Sequence, residues 1–306
     1  VSRILRGEGR APVVVAMGRG GPDEPEVVDP AAFDLSPAGL VALADAGRHA
    51  ASDHLEDALV AGVRTIGTLR CGGGLAGAPA SSTFAAGVAI ANDGPEPLML
   101  LEGSGSSLPP VHADATIAVV PAHADIGMVT GYLGAYRLLL ADLVVVTMAE
   151  TDGVDSAPLE AAIREIVARA GRSPRIVRTV FRPFPLEPIA GRRVFYATTA
   201  PASALDRLSD HLETDHGATV VGRSANLAHR AQLAADLDGV DADTLVVELK
   251  AAAVDVAARA ALERGMHVVV CDNRSVTVGG DGDFETLAGA TVDLAVDRFA
   301  GRGAAR

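Results

Sequence analysis

The run Leu98-Met-Leu-Leu-Glu-Gly-Ser-Gly-Ser-Ser107 carries a single carboxylate, Glu102, out of an apolar stretch and into a turn of glycines and hydroxyls. A charge at the end of an apolar run is costly unless water or a cation meets it, and Mg²⁺ takes hard oxygen ligands of this kind. Glu102 is therefore read as a catalytic carboxylate that holds Mg²⁺, with Gly103 and Ser104 turned toward phosphate oxygens. The plainer alternative is a carboxylate at the wet end of a strand.

Two further apolar runs end in the same device. Val13-Val-Val-Ala-Met-Gly-Arg-Gly-Gly-Pro-Asp-Glu-Pro-Glu26 places Arg19, Gly20 and Gly21 at a strand's end, then Asp23 and Glu26. Glycines let backbone N–H groups close on phosphate, a guanidinium adds a bidentate clamp, and carboxylates help hold a cation through water. Arg19 is assigned to catalysis, Gly20 and Gly21 to cofactor phosphates, and Asp23 and Glu26 to the metal. Arg70-Cys-Gly-Gly-Gly74 repeats the arrangement, so Arg70, Gly72 and Gly73 join the cofactor-binding set; Cys71 is read as a packed side chain. A third junction, Thr244-Leu-Val-Val-Glu-Leu-Lys-Ala-Ala-Ala-Val-Asp255, holds Glu248 and Lys250, and Lys250 is the sole lysine of a chain with 26 Lys and Arg residues. A compact, rotatable ammonium at a strand-to-helix junction suits a moving phosphoryl group, so Lys250 is read as catalytic. Asp53, Glu56 and Asp57 lie three or four apart on one helical face with His54 beside them, and Tyr132, Tyr136 and Arg137 precede a strand; a surface role is read first for Asp53 and His54 and a packing role for the tyrosines.

Something must hold these turns at one edge, and the spacing of apolar runs says what. Short Val/Ile/Leu runs at 12–17, 64–69, 97–101, 115–120 and 143–148, and again at 193–198, 218–222, 244–248 and 267–271, have the character of buried parallel strands. Helical patterns at 37–49, 52–61, 157–170, 202–215 and 252–264 separate them. Alternation of this kind predicts an α/β fold with a mainly parallel sheet of P-loop NTPase type and a second α/β domain. The proline-rich stretch Arg182 to Gly191 reads as a linker, dividing a phosphate domain at 1–185 from a carboxyl-terminal domain at 190–306. A buried strand so early, with no Gly-x-x-x-x-Gly-Lys-[Ser/Thr] loop anywhere, leads us to expect that the first strand and Walker A loop of such a domain are missing at the amino end.

Composition narrows the setting. With 306 residues, 49% hydrophobic and 21% charged, the chain can bury a large core, and its formal net charge of -13 with 3% aromatics argues against a nucleic-acid surface. The long apolar stretch 138–149 is interrupted by Asp142 and falls short of the roughly 20 residues of a membrane helix. Two cysteines are too few for a disulfide framework, and no signal-peptide pattern opens the chain, so a cytoplasmic protein is expected.

Several motifs in one order make the chain similar to a known family. Gly-Arg-Gly-Gly-Pro at 18–22, Glu-Pro-Glu-Val at 24–27, Asp-His-Leu-Glu-Asp-Ala-Leu at 53–59, Arg-Cys-Gly-Gly-Gly at 70–74, Leu-Glu-Gly-Ser-Gly at 101–105, Gly-Tyr-Leu-Gly at 131–134 and Glu-Leu-Lys-Ala-Ala-Ala-Val-Asp at 248–255 resemble the cyclic 2,3-diphosphoglycerate synthetases, over about 12–274. The resemblance implies a cytoplasmic, homodimeric, ATP- and Mg²⁺-dependent ligase that joins the two phosphates of 2,3-diphosphoglycerate into an intramolecular anhydride. Two alternatives stay open: another ATP-dependent kinase or ligase of a phosphorylated small acid, or an inactive remnant that only binds nucleotide or metabolite.

Overall fold

Each of the nine apolar runs contributes to a strand. A computed structural model describes residues 1–18, 22–48, 52–69, 82–103, 108–150, 153–249 and 253–304. In chain order its elements begin with α1 (Ser2–Gly7), β1 (Val13–Gly18), β2 (Glu26–Val28), α2 (Pro37–Asp45), α3 (Asp53–Ala61), β3 (Thr65–Leu69), α4 (Phe84–Asn92) and β4 (Met99–Gly103). There follow β5 (Ile117–Pro121), α5 (Ile126–Thr130), α6 (Tyr132–Leu140), β6 (Leu143–Thr147), α7 (Ala157–Arg169) and β7 (Arg175–Pro185). The remainder is β8 (Arg193–Ala197), α8 (Leu205–His216), β9 (Thr219–Ser224), α9 (Arg230–Leu237), β10 (Thr244–Val247), α10 (Arg259–Glu263), β11 (His267–Gly280) and α11 (Phe284–Ala304). Among the described residues no helix is long and apolar enough to cross a membrane.

The chain packs as two units that alternate along the sequence. Unit 1 comprises Val1–Arg19, Leu69–Phe181 and Ser275–Arg306; unit 2 comprises Gly20–Thr68 and Arg182–Arg274. In unit 1, β1 pairs in parallel with β4, and β5, β6 and β7 form a second parallel set. Leu138 of α6 and Leu159, Ile163 and Val167 of α7 bury one face of that set; Phe284 and Leu287 of α11 pack on the other, against Leu143, Val145 and Val177. In unit 2, β9, β8, β10 and the first part of β11 are parallel throughout. Leu208 and Leu212 of α8 cover one face, and Leu233, Leu237, Ala257 and Ala261 the other. Cover on both faces explains why β6 and β10 are buried at successive positions rather than alternately. The fold is α/β with mostly parallel strands.

α11 is tied to unit 1 by charge as well as by packing. Arg298 grips Asp142 with both terminal nitrogens at 2.9 Å, Arg172 reaches the same carboxylate at 3.2 Å, and the Thr116 N–H donates to it at 3.1 Å. Burial alone would raise the pKa of Asp142, but these donors outweigh it and hold the group below the ordinary aspartate value.

Three sequence expectations are corrected here. The stretch read as a linker from Arg182 is strand as far as Pro185, with Pro183 and Pro185 buried. Proline withholds an N–H from a ladder but suits extended backbone, and the Leu186 N–H resumes pairing with the Val270 carbonyl at 2.9 Å. The helix expected over 252–264 opens as a π-helix at Ala253–Ala258 before α10 begins. Tyr132 and Tyr136, read as packing residues, are exposed. The cause is local: a Cβ at Gly134 would lie 2.3 Å from the Met128 carbonyl oxygen, so glycine lets α5 and α6 close up while Tyr132, at φ 41°, is turned outward.

Candidate functional site

In unit 1 the register sets Ala16 opposite Glu102 and Met17 opposite Gly103, so β1 and β4 end side by side. β1 is buried from Val13 to Met17, whereas β4 ends in exposed Glu102 and Gly103, which lie within the strand rather than in the turn beyond it. Among the described residues the Glu102 carboxylate engages no hydrogen-bond or ion-pair partner. A carboxylate so placed keeps its lone pairs for water or a hard cation, with no desolvation to offset.

Unit 2 holds the other two acids expected at a metal. Asp23 is exposed in a bend. Glu26 opens β2, with Oε2 at 3.1 Å from His54 Nε2 and Oε1 paired to Arg48, which commits both oxygens. His54, in the first turn of α3, is buried, and its carbonyl accepts the Thr65 hydroxyl at 2.8 Å. The ring has room because β3 carries glycine at its centre: Gly67 is the register partner of Glu26, and a Cβ there would lie 2.5 Å from His54 Nδ1. Glycine inside a strand marks close approach, and that signal was present in Thr65-Ile-Gly-Thr-Leu69, though the sequence reading placed His54 on a surface.

The second strand end in unit 2 carries Glu248, one residue past β10. Its side chain is 3% exposed. Thr198 Oγ1 donates to Oε1, while the Thr199 N–H and hydroxyl donate to Oε2 at 3.2 and 2.8 Å. Beneath it lies fully buried Tyr196, and burial pushes the phenol well above its ordinary pKa, with Glu248 and Cys271 adding to the shift. The Cys271 thiol is raised in the same way, first by burial and then by Glu248, which keeps it protonated and unreactive.

Arg19, Gly20, Gly21, Arg70, Gly72, Gly73, Ser104 and Lys250 lie outside the described residues. Among the described residues no group of three or more His, Cys, Asp or Glu side chains assembles a metal site. A groove of about 700 Å³ between α1 and α11, lined by Arg3, Arg10, Glu285 and Asp293 among others, contains none of the sequence-predicted residues.

Comparison with known proteins decides what these strand ends belong to. Residues 1–180 match the family model described as cyclic 2,3-diphosphoglycerate synthetase, P-loop domain, and residues 185–274 match the model of the same family's C-terminal domain. The chain belongs to the cyclic 2,3-diphosphoglycerate synthetase family. It is 43% identical to the cyclic 2,3-diphosphoglycerate synthetase of Rubrobacter xylanophilus over 304 residues, which is 99% of this chain and 66% of that protein. It is 45% identical to the synthetase of Thermococcus gammatolerans over 92% of this chain and 63% of that protein. With the synthetase of Methanothermus fervidus it shares 38% identity over 97% of this chain and 65% of that protein. The chain thus spans just under two thirds of the length of these curated synthetases.

Proposed function

We propose that the protein carrying this chain is an ATP-dependent ligase that closes 2,3-diphosphoglycerate into its cyclic phosphoanhydride, releasing ADP and inorganic phosphate. The observation that carries the reading is the match to both family models in order, with 43% identity to a relative of that name over nearly the whole chain. The setting that goes with it is a cytoplasmic homodimer.

In this reading the γ-phosphoryl group of ATP passes to an oxygen of one substrate phosphate, forming a P–O–P bond as the bond to ADP breaks. An oxygen of the second substrate phosphate then attacks the first substrate phosphorus. Inorganic phosphate leaves and the ring's own P–O–P bond remains. Every participant is an anion, so the protein must supply positive charge and alignment rather than a side-chain nucleophile. Arg19, Arg70 and Lys250 would neutralise phosphate oxygens, with backbone N–H groups of Gly20, Gly21, Gly72, Gly73, Gly103 and Ser104 approaching them. Mg²⁺, when bound, would supply positive charge that polarises the phosphate groups. Exposed Glu102 and Asp23 fit it as hard oxygen ligands, whereas Glu26, with both oxygens engaged by His54 and Arg48, fits a structural role instead.

Phosphorus NMR of the intact protein with ATP, Mg²⁺ and 2,3-diphosphoglycerate tests the reading. Appearance of the cyclic anhydride together with ADP and phosphate in equal amounts is expected. ATP consumption with another phosphorylated acid and none with 2,3-diphosphoglycerate would overturn the substrate assignment.

A further inference from the structure

Glu248 is an unusual way to pin a turn. A carboxylate taken out of water is costly, and its recorded partners among the described residues are neutral donors from Thr198 and Thr199, so no opposite charge offsets that cost there. A carboxylate meets these donors with an acceptor at both of its oxygens, where an amide would set an NH₂ group against one of them. Its position explains the choice better than stability does.

The register of the three parallel strands puts Val247 beside Ala197 on one side and Val270 on the other, so Glu248 stands in a row with Thr198 and Cys271 at the carboxyl edge of the sheet. Side chains alternate along a strand, which sets Tyr196, Val246 and Val269 in the row beneath, facing the same helix, α8. Ligands of parallel α/β sheets bind beyond this edge. The network then runs outward. The Ala200 N–H donates to Thr198 Oγ1 at 3.0 Å, that hydroxyl donates to Glu248, and exposed Thr199 caps the other carboxylate oxygen with two bonds. Buried Tyr196 and Cys271 close the inner side. Two residues after Glu248 comes Lys250, and the chain next described is a π-helix, a rare geometry that recurs at functional sites.

From this arrangement we infer that Glu248 is a positioning residue: its buried carboxylate locks the Thr198–Ala200 turn onto the end of β10 and so fixes the point from which the chain departs toward Lys250. The inference rests on the reading of Lys250 as a phosphate ligand. Glu248 touches no reacting atom in it and acts through the segment that follows.

The test is a mutant cycle in the intact protein, read by kinetics and by amide hydrogen exchange. Glu248→Gln keeps the shape but turns an amide toward the donors, and a misplaced phosphate ligand should lower kcat on the order of 10²-fold with KM for 2,3-diphosphoglycerate little changed. If Glu248 works through the segment bearing Lys250, adding Glu248→Gln to Lys250→Ala should cost less than about twofold more. Thr199→Val, at an exposed residue, should give the same kcat-selective pattern at about a threefold loss, which keeps the test open should Glu248→Gln fold poorly. Exchange at the Thr199 and Ala200 amides should rise at least about tenfold in Glu248→Gln while the β10 amides hold. A kcat within twofold of wild type, or losses that multiply fully in the double variant, would overturn the positioning role. Unchanged exchange at Thr199 and Ala200 would overturn the lock itself, whatever the kinetics. Wild-type protein that makes no cyclic product would overturn the assigned reaction and with it the positioning role, and exchange would still decide the lock.

Discussion

Glu102 and Glu248 are both glutamates delivered by an apolar parallel strand, yet the molecule treats them in opposite ways. Glu102 closes β4 in solvent without a recorded partner among the described residues, whereas Glu248 sits 3% exposed beneath three donors. The type of residue and the type of strand are the same; what differs is what stands across from the carboxylate. Opposite Glu102 is Ala16, whose side chain carries no donor, whereas next after the paired Val247 and Ala197 come Glu248 and Thr198, whose hydroxyl donates to it. An acid left unsatisfied at a sheet edge is available to a ligand, and an acid saturated by its own fold holds that fold in place.

This contrast is easiest to break at Glu102. Glu102→Gln should lower the rate of the proposed ligase reaction on the order of 10²–10³-fold while stability stays within about 0.5 kcal/mol, since an exposed group with no partner among the described residues contributes little to folding. Steady-state rates beside thermal melting decide it, and near-normal turnover at ordinary Mg²⁺ would show the metal is held elsewhere. Glu248→Ala should do the reverse in melting, destabilising by about 2 kcal/mol because the buried Thr198 hydroxyl loses its acceptor. Urea unfolding measures this, and an unchanged midpoint would remove the distinction between the two acids.

Asp142 extends the comparison to a carboxylate saturated by cations. Its folded pKa lies below the ordinary value of 3.8, so the folded state binds the proton less readily than the unfolded chain does. The resulting stabilisation is fully present above pH 3.8 and is lost as pH falls through the lower, folded value. Asp142→Asn should cost about 2 kcal/mol at neutral pH and flatten that part of the acid unfolding profile. A profile identical to wild type would mean the Arg298 clamp does not hold α11. The smallest effect belongs to Glu26: Glu26→Gln weakens half-exposed contacts to Arg48 and one to His54, for about 1 kcal/mol, with little change in Mg²⁺ dependence. A large shift in the Mg²⁺ requirement would instead return Glu26 to the metal.

Residue by residue, the sequence disclosed the strands that are apolar throughout and hid those that are not. β1, β6 and β10 are apolar but for a terminal Gly or Thr and were readable directly. β7 is interrupted by Arg175, Arg178 and Arg182, and β2 has only three residues, so neither has the pattern of a strand buried on both faces. α11 was missed because its glycines and alanines dilute any apolar stripe. The exposed place of Glu102 at the end of β4 was legible because a lone charge follows Leu-Met-Leu-Leu. The Glu26 contact with His54 and the Thr198 contact with Glu248 were not, because each joins residues 28 and 50 positions apart that only the strand register brings together.

The alternation of the two units along the sequence bears on how the protein is made. Unit 1 needs Ser275–Arg306, the part that supplies α11 and the Arg298 grip, and this part leaves the ribosome only after Arg182–Arg274 of unit 2. Domains that are contiguous can fold in the order of synthesis, but here the amino-terminal strands β5 to β7 must wait with one face uncovered while unit 2 emerges. Chaperone occupancy during translation should therefore peak over that interval, and an expression fragment cut between the two matched family regions would strand Leu143, Val145 and Val177 without the helix that packs on them.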